Sequence, residues 1–503
     1  MATRTSLLVK WFFVLLVLSF FSWKLFYLKK LGFESIPGTV EILDERNYAH
    51  AGLTFRKTGI PTAWSNLYAY KDKSLPNNKT TSFDGSSILV DGQKPSLKNI
   101  SQFLYPTTVT GDVDLGKGEE QVSFVQPFMD HPLFGSIIYS LGLDGETYEQ
   151  INPESYREIS LYVSLLTGFL IFFSAYLISK SLLGSFFAFF YYSISPFIIL
   201  SSRYSLLENI IIPLSLLALI AVLVSKKANT KHSLIYLVLA GMFSGLAFST
   251  KEQGIFVFLG TTLIYIFIHK IKLKKYFVFL TSFLLFGLWS YIYYFFISGQ
   301  FYLDLILNQS ERGFFGPLNV ISTVSGFRFN GFPLDGFWFF GLFSLAIFIY
   351  KQKSKEISYY LGSFFLVMLF LSGENYSWYY LPLVPFVAIS SGVLLKKLFI
   401  EPSTFLSLIY FVFPFSSALY WGFSVFRSPA EVVLVYRLFL IGFFLTSFLM
   451  PKIKPIGKWG RKILWIGFMT TIFWQTYVWS FQGFEYMIGN WSKILDLLRY
   501  VQR

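Results

Sequence analysis

Apolar residues run in long blocks along this chain, and short polar tracts punctuate them. Crossing the hydrocarbon of a bilayer takes about 20 apolar residues. The runs predict spanning helices at 11–28, 158–179, 182–200, 207–225, 233–250, 254–268, 276–297, 336–350, 357–372, 379–395, 404–422, 431–449 and 462–480. The expected fold is therefore an all-α polytopic membrane protein with about 13 transmembrane helices.

The first run follows Arg4 and Lys10 and is closed by Lys29 and Lys30. It is long for a signal peptide and no small-residue cleavage site follows it, so 1–28 reads as a retained signal-anchor helix. Residues 29–157 form a long polar loop with short juxtamembrane helices. Its stretch from Tyr70 to Glu120, rich in Asn, Ser, Gly and Asp, reads as an irregular or small β-rich insertion. A transmembrane core (158–297), a second polar loop (298–335), C-terminal helices (336–480) and a tail (481–503) complete the organisation.

Lysine placement orients these spans. With the N-terminus in the cytoplasm, alternate connections hold Lys180; Lys226, Lys227 and Lys231; Lys270, Lys272, Lys274 and Lys275; Lys351, Lys353 and Lys355; Lys396 and Lys397; and Lys452, Lys454, Lys458, Arg461 and Lys462. The opposite short connections, at 201–206, 249–253, 373–378 and 424–431, are nearly free of Lys. Every alternation obeys the positive-inside rule, which puts both long loops and the tail outside a cell membrane.

Composition adds three exclusions. Only 14% of residues are charged, against about 25% in soluble domains. Lipid thus replaces water as the solvent for much of the surface. The net charge of +14 is spread through short tracts between apolar runs, which argues against a nucleic-acid partner. There are no cysteines, so thiolate catalysis, zinc-thiolate sites and disulfides are excluded.

Four polar clusters fall on the expected outer face. They are Leu43-Asp44-Glu45-Arg46, Met129-Asp130-His131-Pro132, Ser202-Arg203-Tyr204-Ser205-Leu206-Leu207-Glu208, and Ser249-Thr250-Lys251-Glu252. Gathered together they would suit a reaction on an anionic, lipid-linked substrate. A carboxylate takes a proton from an acceptor hydroxyl, and Arg and Lys hold a phosphate leaving group. The bland readings are helix-start acids at Asp44, Glu45 and Glu208, a snorkelling Arg203, and a local Lys251–Glu252 charge pair.

The strings resemble the protein O-mannosyltransferases and the wider GT-C superfamily of polytopic, polyprenyl-phosphate-sugar-dependent enzymes. Asp44-Glu45 looks like that family's acidic pair in the first outer loop. Asp130-His131-Pro132-Leu133-Phe134-Gly135 is similar to its Asp-x-His-Pro-Pro-Leu-Gly stretch. Ser202 to Glu208 is similar to its Ser-Arg-Tyr-x-Leu-Leu-Asp, with Glu208 in place of Asp. Gly245-Leu246-Ala247-Phe248-Ser249-Thr250-Lys251 resembles its Gly-Leu-Ala-x-Ser-x-Lys. Tyr379-Tyr380-Leu381-Pro382-Leu383-Val384-Pro385 resembles a run of bacterial relatives that include aminoarabinose transferases. The matches cover roughly residues 40–390, in family order. Departures such as Leu133, where the family has a second Pro, favour a bacterial or archaeal relative.

The resemblance implies a GT-C fold and inverting transfer of a sugar, mannose by default, from a polyprenyl- or dolichyl-phosphate donor to a hydroxyl on a protein, lipid or glycan acceptor. It implies Asp44 as base with Glu45 positioning it, and Arg203 and Lys251 as phosphate contacts. Asp130, His131, Glu208, Glu252, Tyr379 and Tyr380 are further candidates. No metal is demanded, although Asp44, Glu45, Glu208 and His131 offer ligands for a divalent ion. The rival readings are a transporter or lipid flippase, and a non-catalytic membrane assembly protein.

Overall fold

The computed structural model describes residues 43–400, with breaks at 66, 71–79, 97–106, 115–118, 144, 146, 196–197, 199–200, 203, 226–229, 311–335, 352 and 372–376, and isolated positions elsewhere. The expected spans at 404–422, 431–449 and 462–480, nearly all of the span at 11–28, and the tail lie outside the described residues.

The apolar runs become helices where they are described. They are α3 (Pro153–Ser179), α4 (Leu182–Ile194), α5 (Leu207–Ser225), α6 (Thr230–Phe248), α7 (Ile255–Leu263, extended by a π turn to Ile268), α8 (Leu273–Gly287), α9 (Trp289–Ser310), α10 (Gly336–Tyr350), α11 (Lys355–Leu371) and α12 (Val384–Ile400). Two short helices precede them in the first loop, α1 (Leu43–Thr58) and α2 (Leu133–Ser140). Among the described residues, three helical stretches are long and apolar enough to cross a membrane: Pro153–Ser179, Leu207–Ser225 and Trp378–Ile400. A fourth counts if the pair α8–α9, bent by 46°, is one span. The other apolar helices are shorter, so length alone does not give the expected count of about 13 spans.

A separate kink lies at a boundary expected from sequence. The polar residues after Ile297 place the start of the second loop at Ser298, where α9 is kinked at a non-helical residue (φ −153°, ψ 54°) before a further helical stretch to Ser310.

The core lies between the helices and is built from Leu, Ile, Phe and Tyr of α3–α7 and α10–α12. On the outside of the helices, apolar residues such as Phe277, Leu284, Leu285, Phe296 and Phe370 remain exposed, as expected where hydrocarbon is the solvent. Helices α6 and α8 approach most closely at Gly241 and Gly245, a small-xxx-small pair on α6. A Cβ at Gly241 would lie 2.4 Å from the Phe279 carbonyl oxygen, and one at Gly245 2.7 Å from that of Phe283, so only glycine fits.

The β-rich expectation for the first loop is met. Strands β1 (Ala63–Trp64), β5 (Glu119–Gln126) and β4 (Thr107–Asp114) form an antiparallel sheet in that order, and β2 (Thr81–Phe83) pairs with β3 (Ile88–Val90) as a hairpin. The Gln126 side chain joins the two. It accepts from the Thr62 hydroxyl (2.8 Å) and the Ile88 amide (3.0 Å), and donates to the Ile88 carbonyl (3.2 Å).

Helix ends sort into two groups. The starts of α1, α3, α5 and the turn before α12 meet the end of α6 around the polar clusters. At the other end, Lys351 and Lys353 after α10 face Lys396 and Lys397 of α12, and Lys275 of α8 donates to Ser233 of α6 (3.1 Å).

Candidate active site

Helix α1 opens with two acids, which suit the positive end of a helix dipole. Successive helical residues are rotated by about 100°, so Asp44 and Glu45 leave the helix in different directions. Asp44, Asn47 and Tyr48 share one face and line a cavity of about 190 Å³. Glu45 is fully buried and turns toward α3 and α5. There its carboxylate accepts two bonds from the Arg157 guanidinium, at 3.1 and 3.0 Å, and one from the Ser205 amide at 2.8 Å. The guanidinium also lies over the Tyr204 ring, 5.6 Å from its centre. Glu45 thereby fastens the first turn of α1 to the transmembrane helices and stands apart from the cavity lining.

Lys251 reaches the cavity from the turn after α6. It is 7% exposed, and its ammonium donates to Glu208 at 2.6 Å and sits 4.4 Å from the centre of the Tyr379 ring. A lysine carries three N–H donors, so the Glu208 bond fixes the ammonium without using all of them. Glu208, 1% exposed at the start of α5, does not line the cavity itself.

The stretch before α2 supplies the opposite wall. Asp130 accepts from the Ser65 hydroxyl at 2.7 Å, and its backbone carbonyl accepts from the Gln309 amide at 3.2 Å. His131 Nδ1 lies 3.4 Å from the Glu252 carboxylate, and its carbonyl accepts from the Tyr294 hydroxyl at 2.9 Å. The His131 ring meets Tyr48 edge-on, with centres 5.7 Å apart. Burial pushes the Glu252 carboxyl up, but His131, a backbone hydrogen bond and the Lys251 charge together hold the group below its usual range. Burial raises the Tyr48 hydroxyl well above its usual range, and the charges of Asp44 and Glu208 add to it.

Of the residues singled out from sequence, Asp44, Asp130, His131, Lys251 and Tyr379 line one cavity. Glu208 and Glu252 contact its lining through Lys251 and His131. Tyr380 is buried against Phe364 and lies outside it. Arg203 lies outside the described residues. Sequence reasoning did not single out Arg157, Tyr48, Asn47, Trp64, Ser65 or Gln309. Charge gave no signal for Arg157, because the long first loop holds many other Lys and Arg residues. Among the described residues, no group of three or more His, Asp or Glu is arranged to hold a metal ion.

Residues 131–303, about a third of the chain, match the family model described as dolichyl-phosphate-mannose-protein mannosyltransferase. That is a family of glycosyltransferases, and the expectation of an enzyme of this class holds. No curated protein matches the chain. Among solved structures, the chain is similar to ArnT from Cupriavidus metallidurans bound to undecaprenyl phosphate, at 14% identity over 95% of this chain and 78% of that one, with a TM-score of 0.41. It is also similar to the archaeal oligosaccharyltransferase AglB from Archaeoglobus fulgidus, at 13% identity over 70% of this chain and 48% of that one, with a TM-score of 0.30.

Proposed function

We propose that this glycosyltransferase moves a sugar, mannose by its family match, from a polyprenyl- or dolichyl-phosphate donor to a hydroxyl acceptor on the extracytoplasmic side of the membrane. The observation that carries the reading is that Asp44 and Lys251 line one cavity at one end of the helices. A base and a cation on a shared cavity are what a single displacement at an anomeric carbon requires.

Asp44 takes the proton of the acceptor hydroxyl as its oxygen attacks the anomeric carbon. The bond from that carbon to the donor phosphate breaks, and the lipid leaves as a phosphate monoester. Lys251 offers its remaining N–H donors to the charge that develops on the phosphate, and Arg203 is the second candidate for that task. One displacement inverts the configuration. Glu45 keeps Asp44 in place through Arg157, and Glu208 does the same for Lys251. Tyr379 and Trp378 supply aromatic walls on which a sugar ring can rest. The acidic and basic groups that line this cavity, Asp44, Asp130, His131 and Lys251, stand at or beyond helix ends and not midway along a span, which weighs against a transporter.

The test is sugar transfer from polyprenyl-phosphate donors in membranes carrying the protein. Loss of a general base costs about 10²–10⁴-fold in rate, and Asp44→Asn is expected to fall in that range. Wild-type activity in Asp44→Asn would remove Asp44 as the base.

A further inference from the structure

A second cavity, of about 300 Å³, opens at the far end of the helices. Helix α12 separates it from Tyr379 by roughly 25 Å, at about 1.5 Å per residue. Its rim is formed by Lys351 and Lys353, just beyond α10, and by Lys396 and Lys397, in the last turns of α12. Its walls are apolar and include Ile347, Phe348, Leu394 and Ile400. Among the described residues, no carboxylate lines it and none of the four ammonium groups forms an ion pair there. The nearby Glu356 instead accepts from the Ser354 hydroxyl at 2.9 Å.

The positive-inside rule accounts for lysines at this end of the helices. It does not require four of them to converge on one cavity, where like charges repel and a bound anion would relieve the repulsion. Apolar walls beneath a cationic rim fit an anion that carries hydrocarbon. We propose that this cavity binds the headgroup of an anionic glycerophospholipid, with its phosphate among the four lysines and its acyl chains along Ile347, Leu394 and Ile400. Basic pockets between membrane helices recognise anionic lipids by this chemistry. The site is separate from the sugar-transfer cavity and does not rest on the reading given to it.

The full chain, purified in detergent, is titrated with phosphatidylglycerol, phosphatidylcholine or inorganic phosphate, and bound lipid is read by native mass spectrometry. Phosphatidylglycerol is expected to bind and the other two are not. Each single Lys→Gln change at 351, 353, 396 or 397 is expected to weaken binding about fivefold, and the quadruple variant to abolish it. A control of equal charge, Lys226→Gln with Lys270→Gln, Lys272→Gln and Lys274→Gln, is expected to keep it. Equal binding of phosphatidylcholine, saturation by inorganic phosphate, or equal loss in the control would overturn the proposal. So would unchanged binding in the lysine variants. If the quadruple variant fails to fold, the four single variants decide the matter.

Discussion

The adjacent acids of α1 do different work because a helix turns between them. Asp44 faces the cavity, and Glu45 is buried against Arg157 and Ser205. Removing one partner of a buried ion pair costs about 3–5 kcal/mol, because the other charge is left uncompensated. Glu45→Gln is expected to lower stability on that scale, read by thermal unfolding of the purified protein. The pair Glu45→Leu with Arg157→Met is expected to regain most of the loss. If Glu45 positions the base, transfer activity recovers along with stability; activity that stays absent in a stable double variant would give Glu45 a direct part in the reaction. The motif resemblance assigned the two acids different parts but could not show what Glu45 holds, since Arg157 lies 112 positions away in the chain.

At the level of elements, the hydrophobic pattern read well for two of the apolar helices. The expected span 207–225 coincides with α5, and 336–350 with α10. At Ser298, where Ser298, Gly299 and Gln300 look like an exit from the membrane, the pattern marked the kink but not the further helical stretch that runs to Ser310. The close packing of α6 on α8 depends on Gly241 and Gly245, and forcing extra atoms into a packed interface costs about 1–3 kcal/mol. Gly245→Ala is expected to lower the melting temperature. Gly362→Ala in α11, where a Cβ would meet nothing within 4 Å, is expected to leave it unchanged or raise it. Equal effects of the two substitutions would show that the α6–α8 contact is not so tight.

For the whole molecule, the alternation of lysine tracts carried the most information. It placed the four polar clusters on one face before any contact was known, and the structure brings residues of all four to one end of the bundle. Length was the weaker guide, because many of the apolar helices are shorter than a bilayer is thick. The orientation itself predicts that a reporter fused at Asn229 lies in the cytoplasm and one at Ser325 lies outside. Asn229 found outside would reverse the assignment of both faces.

The two clamps of the candidate site end on the same short piece of chain. Glu45, beside the proposed base, is held by the Ser205 amide, and Lys251 is held by Glu208, three residues further on. Asp44 and Lys251 are thus surveyed from a single benchmark at the head of α5. A substitution that displaces this turn would therefore disturb both sides of the cavity at once, although it touches neither Asp44 nor Lys251.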